Sequence, residues 1–375
     1  MKKILFATTA IAGLATVATP AMADALEMDL GGFYRGYGVY NDVDATRDFD
    51  LRHDAEIHFT GETTLDNGLT VGVHSEMELA ADNAADGVGV AGQDLDQDEI
   101  YAYMSGTWGR INWGQEDGAA YLLQVAAPSA DSNVDGLRTY IQAGPAIGAA
   151  LGRDAVLDYA QDYNGLGEAA TKITYLTPKF GGFQAGVSYA PELSDAPAVV
   201  GNGVDAPATD DDDGEFENLL EAGIRFDGAW NEVGFSVGGG YGMADTEADA
   251  AVATDPGSDD LEQWNAGINF QWMAFEFGGA YTETNNGIDT DGDTDTWVAG
   301  LGWNNGPYSV GATYLDREYE TAAGDFDADR WTVGGTYTYG PGMTFRGAVA
   351  FGDFEAPGAV DEDITQVTLG TEINF

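Results

Sequence analysis

Cysteine is absent from the 375 residues, so neither a disulfide framework nor thiolate chemistry can hold or operate this chain. Imidazole is almost absent too, since His53, His58 and His74 are the whole supply. Bases are scarce: 14 Lys and Arg stand against 64 Asp and Glu, a net charge of −50. That balance excludes nucleic acid as a partner, because phosphate binding rests on Lys and Arg. It would also strain a compact water-soluble domain, unless the acids lie in loops and in a water-filled interior where salt screens them. After the first residues no stretch offers the roughly twenty unbroken apolar residues that a transmembrane helix needs.

What is abundant points to β structure. The chain holds Gly 53, Tyr 18, Phe 17 and Trp 8, an aromatic and glycine-rich composition. The opening Met1-Lys2-Lys3, the apolar run from Ile4 to Ala18 and Thr19-Pro20-Ala21-Met22-Ala23 have the three regions of a secretory signal. Residues 1–23 are therefore expected to be a cleaved signal peptide and residues 24–375 one β-barrel domain. Cleavage would remove Lys2 and Lys3, leaving 12 bases against 64 acids, a net charge of −52. An exported chain without membrane helices crosses a bilayer only as a closed barrel, in which every backbone group finds a partner.

From Leu30 the sequence alternates apolar and polar residues in about sixteen segments: 30–41, 49–64, 69–80, 98–106, 110–116, 171–177, 183–190, 219–226, 233–242, 262–272, 273–284, 294–304, 308–319, 330–339, 343–354 and 364–375. Short turns alternate with long acidic loops. The turns are Leu65-Asp66-Asn67-Gly68, Trp108-Gly109, Gly181-Gly182, Asp227-Gly228, Asn305-Gly306-Pro307 and Gly340-Pro341-Gly342. The longest loop runs from Asp117 to Ala170, and its apolar stretch Tyr121-Leu122-Leu123-Gln124-Val125 calls for burial inside the barrel. Parity assigns the two faces. Trp264, Ala266, Ile268, Phe270 and Trp272 form an apolar row while Gln263, Asn265, Gly267, Asn269 and Gln271 form a polar one. Trp297, Leu301, Trp303, Trp331 and Val333 continue the outward row, with Trp and Tyr near strand ends suited to interfacial girdles.

Three stretches resemble the general diffusion porins of alphaproteobacteria: 30–40 as a first strand, Thr63-Thr64-Leu65-Asp66-Asn67-Gly68-Leu69-Thr70-Val71-Gly72 as a first periplasmic hairpin, and a last strand ending in Phe375. The resemblance covers essentially the whole chain after residue 23. It implies an all-β, transmembrane antiparallel barrel of about sixteen strands in the outer membrane of a Gram-negative bacterium, with the third external loop folded into the pore. It also implies homotrimers seated among outer-membrane lipid and lipopolysaccharide, and a terminal aromatic read by the assembly machinery. The expected function is passive diffusion of small hydrophilic solutes and ions, without catalysis or a required cofactor.

The charges depart from that family pattern, which implies a basic wall facing an acidic loop. Here the inward parity of the second strand reads Arg52, Asp54, Glu56, His58, Thr60 and Glu62, and that of the third adds His74, Glu76 and Glu78. The expected pore-lining residues are Arg35, Arg52, Asp54, Glu56, His58, His74, Glu76, Glu78, Arg110, Glu116 and Asp117. Carboxylates in such numbers predict a cation-selective channel. Asp289, Asp291, Asp293 and Asp295 alternate around Gly292 as in calcium loops, without the distal Glu and helix of an EF-hand, and are read as a weak external Ca²⁺ site. The G-x-G-x-x-G at 87–92 lacks a strand-to-helix setting, and the G-x-S-x-G at 234–238 lies within a strand. Two rival readings remain, an outer-membrane barrel enzyme and a secreted acidic calcium-binding β protein. The first needs a nucleophile, base and orienting group that no motif supplies; the second predicts release by salt or chelator.

Overall fold

The computed structural model describes residues 27–42, 48–81, 96–129, 166–167, 170–193, 199–200, 204–205, 216–246, 259–322, 324–355, 357 and 362–375. Its strands are β1 (Glu27–Asn41), β2 (Phe49–Thr64), β3 (Thr70–Ala81), β4 (Asp96–Gly106), β5 (Gly109–Gln115), β6 (Thr171–Leu176), β7 (Phe183–Glu192), β8 (Val199–Val200) and β9 (Val204–Asp205). They continue with β10 (Phe216–Trp230), β11 (Val233–Thr246), β12 (Leu261–Trp272), β13 (Phe275–Thr284), β14 (Thr294–Asn305), β15 (Tyr308–Tyr319), β16 (Phe326–Gly340), β17 (Met343–Glu355) and β18 (Glu362–Asn374). β8 and β9 pair only with each other, and the other sixteen close into one antiparallel barrel in which β1 meets β18. Each of the sixteen segments read from the sequence coincides with one barrel strand. Residues 1–26, including the expected signal peptide, lie outside the described residues, as do 87–92.

Alternation produces the two faces. Along β12 the odd positions Leu261, Gln263 and Asn265 are buried while Trp264, Ile268 and Trp272 are exposed, so one parity faces inward and the other outward. The same pattern exposes Leu51, Trp113, Ile173, Ile224, Trp297, Leu301, Trp331, Val333 and Leu369 around the ring. So continuous an apolar coat has no place in water and suits lipid. Aromatic rings collect toward both ends of it. Trp264, Tyr281 and Trp297 pack in sequence at 4.8 and 4.3 Å on the long-loop side. Phe183, Phe226 and Phe235 do so at 4.4 and 5.6 Å on the turn side. No helix among the described residues is long and apolar enough to cross a membrane; the strands do so.

Two turns differ from expectation. Asp227-Gly228 lies inside β10, and the chain reverses at Asn231-Glu232, where Asn231 takes φ 53°. Gly228 instead leaves room for the rings of Phe226 and Phe235, which stand 2.7 and 2.9 Å from where its Cβ would be. The glycine that resembled a turn signal is a packing residue. Between β12 and β13 the reversal is Met273-Ala274 with Met273 at φ 54°, a turn without the customary Gly, Asn or Asp.

Candidate functional site

The third long connection leaves β5 and turns into the barrel. A short helix α1 (Ala119–Leu122) begins a segment through 129 that runs circumferentially along the inner wall. Ala119 N–H donates to Ser188 Oγ on β7 (2.8 Å), Arg225 Nη1 on β10 donates to the Gln124 carbonyl (3.0 Å), and Thr313 Oγ1 on β15 donates to the Pro128 carbonyl (3.2 Å). Leu123, Val125 and Ala127 are buried. What admits this backbone is the absence of side chains beneath it. A Cβ on Gly267 of β12 would lie 1.7 Å from the Val125 oxygen, and one on Gly300 of β14 would lie 1.9 Å from the Pro128 oxygen. Each glycine is the seventh residue of a twelve-residue strand, so the segment crosses near mid-height. The expected inward fold of the loop holds for residues 118–129; the stretch 130–165 lies outside the described residues.

Below the segment, toward the turns, a polar cavity of about 320 Å³ is lined by Val125, Arg225, Asp227, Ser236, Asn269 and Glu276 among others. Asp227 accepts from Lys179 Nζ (2.5 Å), Arg225 Nε (3.0 Å) and Ser236 Oγ (2.7 Å). Ser236 of the G-x-S-x-G stretch thus donates to a carboxylate held by two cations, the reverse of an activated nucleophile.

The charged wall is elsewhere. Arg35 on β1 reaches Glu372 on β18 (3.1 Å) and Asp54 on β2 (3.4 Å), and Arg346 on β17 shares Glu372 (2.9 Å). Arg52 pairs with Asp50 at 3.0 Å. Arg35 meets Asp54 because the β1–β2 register sets the two directly opposite each other. Glu56, His58, His74 and Glu76 cluster on the inner faces of β2 and β3, with His58 Nε2 3.1 Å from Glu56 and His74 Nε2 2.8 Å from Glu76. Glu78 stands opposite Glu56, and Tyr103 donates to Glu62 at 2.5 Å.

Arg110 on β5 lies over the Tyr103 ring at 4.0 Å and donates to Asn112 Oδ1 (2.6 Å). Asn112 in turn donates to Glu116, whose carbonyl also accepts from Lys172. Glu116 and Asp117, only 5 % and 4 % exposed, stand at the root of the inward segment. Lys172, Ser188 and Thr313, which hold that segment together with Arg225, escaped sequence reasoning; the inward glycines were the available signal. Asp289, Asp291 and Asp293 are exposed, and Asp295 accepts from Tyr281 Oη on the outer face. None of the four belongs to a group of three metal-competent side chains with ligand atoms within 4.8 Å among the described residues. Their loop is closed by Asn286, whose Nδ2 donates to the Gly292 carbonyl and to Thr294, both at 2.7 Å.

The family model for Gram-negative porins matches residues 7–357. The chain belongs to the Gram-negative porin family. A search of curated proteins returns no match. Solved structures similar to this porin include the anion-selective porin from Comamonas acidovorans, with a TM-score of 0.63, 18 % identity, and coverage of 93 % of this chain and 100 % of that one. OmpF of Salmonella typhi, in complex with daunomycin, gives 0.64 at 16 % identity, over 93 % and 97 % of the chains. A mutant porin of Rh. blastica gives 0.55 at 15 %, over 93 % and 100 %. Identities this low speak for the fold alone. Family and barrel together place this porin in the outer membrane and point to a diffusion channel rather than an enzyme.

Proposed function

We propose that this porin passes small hydrophilic solutes and ions by passive diffusion and favours cations. The observation that carries the reading is the inner wall of β2–β4, where Asp54, Glu56, Glu62, Glu76, Glu78 and Glu99 outnumber Arg52 and two imidazoles, with Arg35 of β1 reaching Asp54. Bases elsewhere on the inner face are engaged locally. Arg35 and Arg346 hold Glu372, Arg225 holds Asp227, and Lys172 is spent on the carbonyls of Glu116 and Gly167. One exposed charge pair at 4 Å in water is worth about 1 kcal/mol, and salt weakens it. Several carboxylates in a low-dielectric wall act together, and a bias on the order of 1–2 kcal/mol, roughly tenfold in partition, is reasonable. The relative from Comamonas acidovorans is described as anion-selective; at 18 % identity it shares the barrel and not this wall by necessity.

The same reading includes removal of residues 1–23, assembly as homotrimers among outer-membrane lipid and lipopolysaccharide, no required cofactor, and Ca²⁺ held only weakly at external loops such as 289–295. Its test is the reversal potential of the purified protein in a planar bilayer under a KCl gradient. A sign showing preference for potassium, declining as salt rises, is expected. Preference for chloride would overturn the proposal.

A further inference from the structure

The inner faces of β2, β3 and β4 place like charges directly across from one another. Register sets Glu56 opposite Glu78 and Glu76 opposite Glu99, with His58 opposite Glu76 between them. Facing carboxylates repel, so this patch is costly unless positive charge sits among them. The imidazoles are placed to share it with a metal. His58 Nε2 lies 3.1 Å from Glu56 Oε1 and its Nδ1 3.7 Å from Glu76 Oε1, while His74 Nε2 lies 2.8 Å from that same Glu76 oxygen. Two triads result, Glu56–His58–Glu76 and His74–Glu76–Glu99, in each of which one ligand atom per residue lies within 4.8 Å of the others.

A supporting contact orients the ligands. His74 Nδ1 is 2.7 Å from Thr60 Oγ1, directly across the β2–β3 pair. With the Nδ1 proton given to Thr60, the Nε2 lone pair faces Glu76, as in metal-ligating histidines fixed through their second nitrogen. The mixed nitrogen and oxygen donors matter for which ion is chosen. Carboxylates alone suit Mg²⁺ and Ca²⁺, whereas imidazole with carboxylate suits zinc and its first-row neighbours.

We propose that this patch is a binding site for a divalent first-row transition-metal ion, held by His74, Glu76 and Glu99, the triad whose imidazole Thr60 orients, with Glu56 and His58 beside the same Glu76. A bound ion adds positive charge to the wall that attracts cations and so lowers cation current. The electrical part of the test rests on the channel reading, but its spectroscopic part does not.

Co²⁺ added to the wild-type protein in detergent is expected to give visible d–d absorption that Zn²⁺ displaces and Mg²⁺ does not. In bilayers Zn²⁺ should reduce conductance at concentrations where Mg²⁺ has no effect. H74Q, alone or combined with H58Q, should remove the Co²⁺ band and the Zn²⁺ effect, as should E76Q, and T60V, which spares every ligand, should weaken Zn²⁺ binding by about tenfold. A wild-type protein without the Co²⁺ band, equal responses to Zn²⁺ and Mg²⁺, or histidine variants that keep full Zn²⁺ sensitivity would each overturn the site. If the wild-type barrel gives the Co²⁺ band but conducts no ions, the channel reading fails and the metal site stands.

Discussion

The inner wall has two arcs built by opposite means. On β10–β14 the mid-height positions are emptied: Gly223, Gly238, Gly267 and Gly300 leave space that the backbone of 119–128 fills. On β2–β4 the corresponding face is crowded with long titratable side chains, Glu56, His58, His74, Glu76 and Glu99. The arcs oppose each other, since β13 stands eight strands from β3 in a ring of sixteen. One arc sets how much of the lumen is filled and the other sets which charge it presents. The filling of the lumen and the proposed selectivity thus rest on different residues and can be altered separately.

The sharpest way to test this division uses two neighbouring positions. Ile268 faces out and Gly267 faces in on the same strand. Arg at 268 is expected to cost roughly 2–4 kcal/mol of barrel stability near the bilayer midplane, read by urea unfolding from vesicles, with single-channel conductance unchanged in the molecules that assemble. Gly267→Val combined with Gly300→Val should do the converse. Overpacking costs about 1–3 kcal/mol, and the displaced segment should raise single-channel conductance. Gly234→Val is the control, because on the inner face of β11 its nearest neighbour would be Gln271 Cβ at 3.7 Å. Conductance that stays the same in the double variant would dissolve the distinction between the arcs.

A smaller effect is expected at the anchor. Arg225→Ala removes the 3.0 Å bond to the Gln124 carbonyl while leaving Lys179 on Asp227, and should cost about 1 kcal/mol. Its signature is added current noise from a loosened segment, without a change of reversal potential.

Smaller still is a pH effect above β13–β16. Asp293 and Glu320 are held above the ordinary carboxylate range, by partial loss of water first and then by crowding acids: Glu283 and Asp295 for Asp293, and Asp293, Asp325, Asp291 and Asp295 for Glu320. The folded loops thus disfavour the ionised form, so this strain is present above the raised pKa and is relieved as pH falls through it. Protease resistance of these loops should rise as pH falls from neutral through the raised carboxylates, and Glu320→Gln should flatten that rise.

Much of this was legible in the sequence because a barrel strand meets lipid on one side and water on the other, so period two is enforced residue by residue. The inward course of the loop was legible for a related reason: Leu123 and Val125 needed cover. What escaped depends on register or on space. Arg35 meets Asp54 only because β1 and β2 pair in one particular alignment. Gly228 reads like a turn until the rings of Phe226 and Phe235 are seen over it, and Met273 reads like strand until its φ is known. At 289–295 the alternation of aspartates was legible, but not that Asn286 closes the reversal or that Asp295 accepts from Tyr281.

The claim that charge selectivity resides in the β2–β3 arc is tested most directly by the reversal potential of the quadruple variant Asp54→Asn, Glu56→Gln, Glu76→Gln and Glu78→Gln under a KCl gradient at low salt. The account predicts a potential moved toward zero with the wild-type conductance step largely kept, since the segment on the opposite arc is untouched. A variant that keeps the full cation preference of the wild type would contradict it.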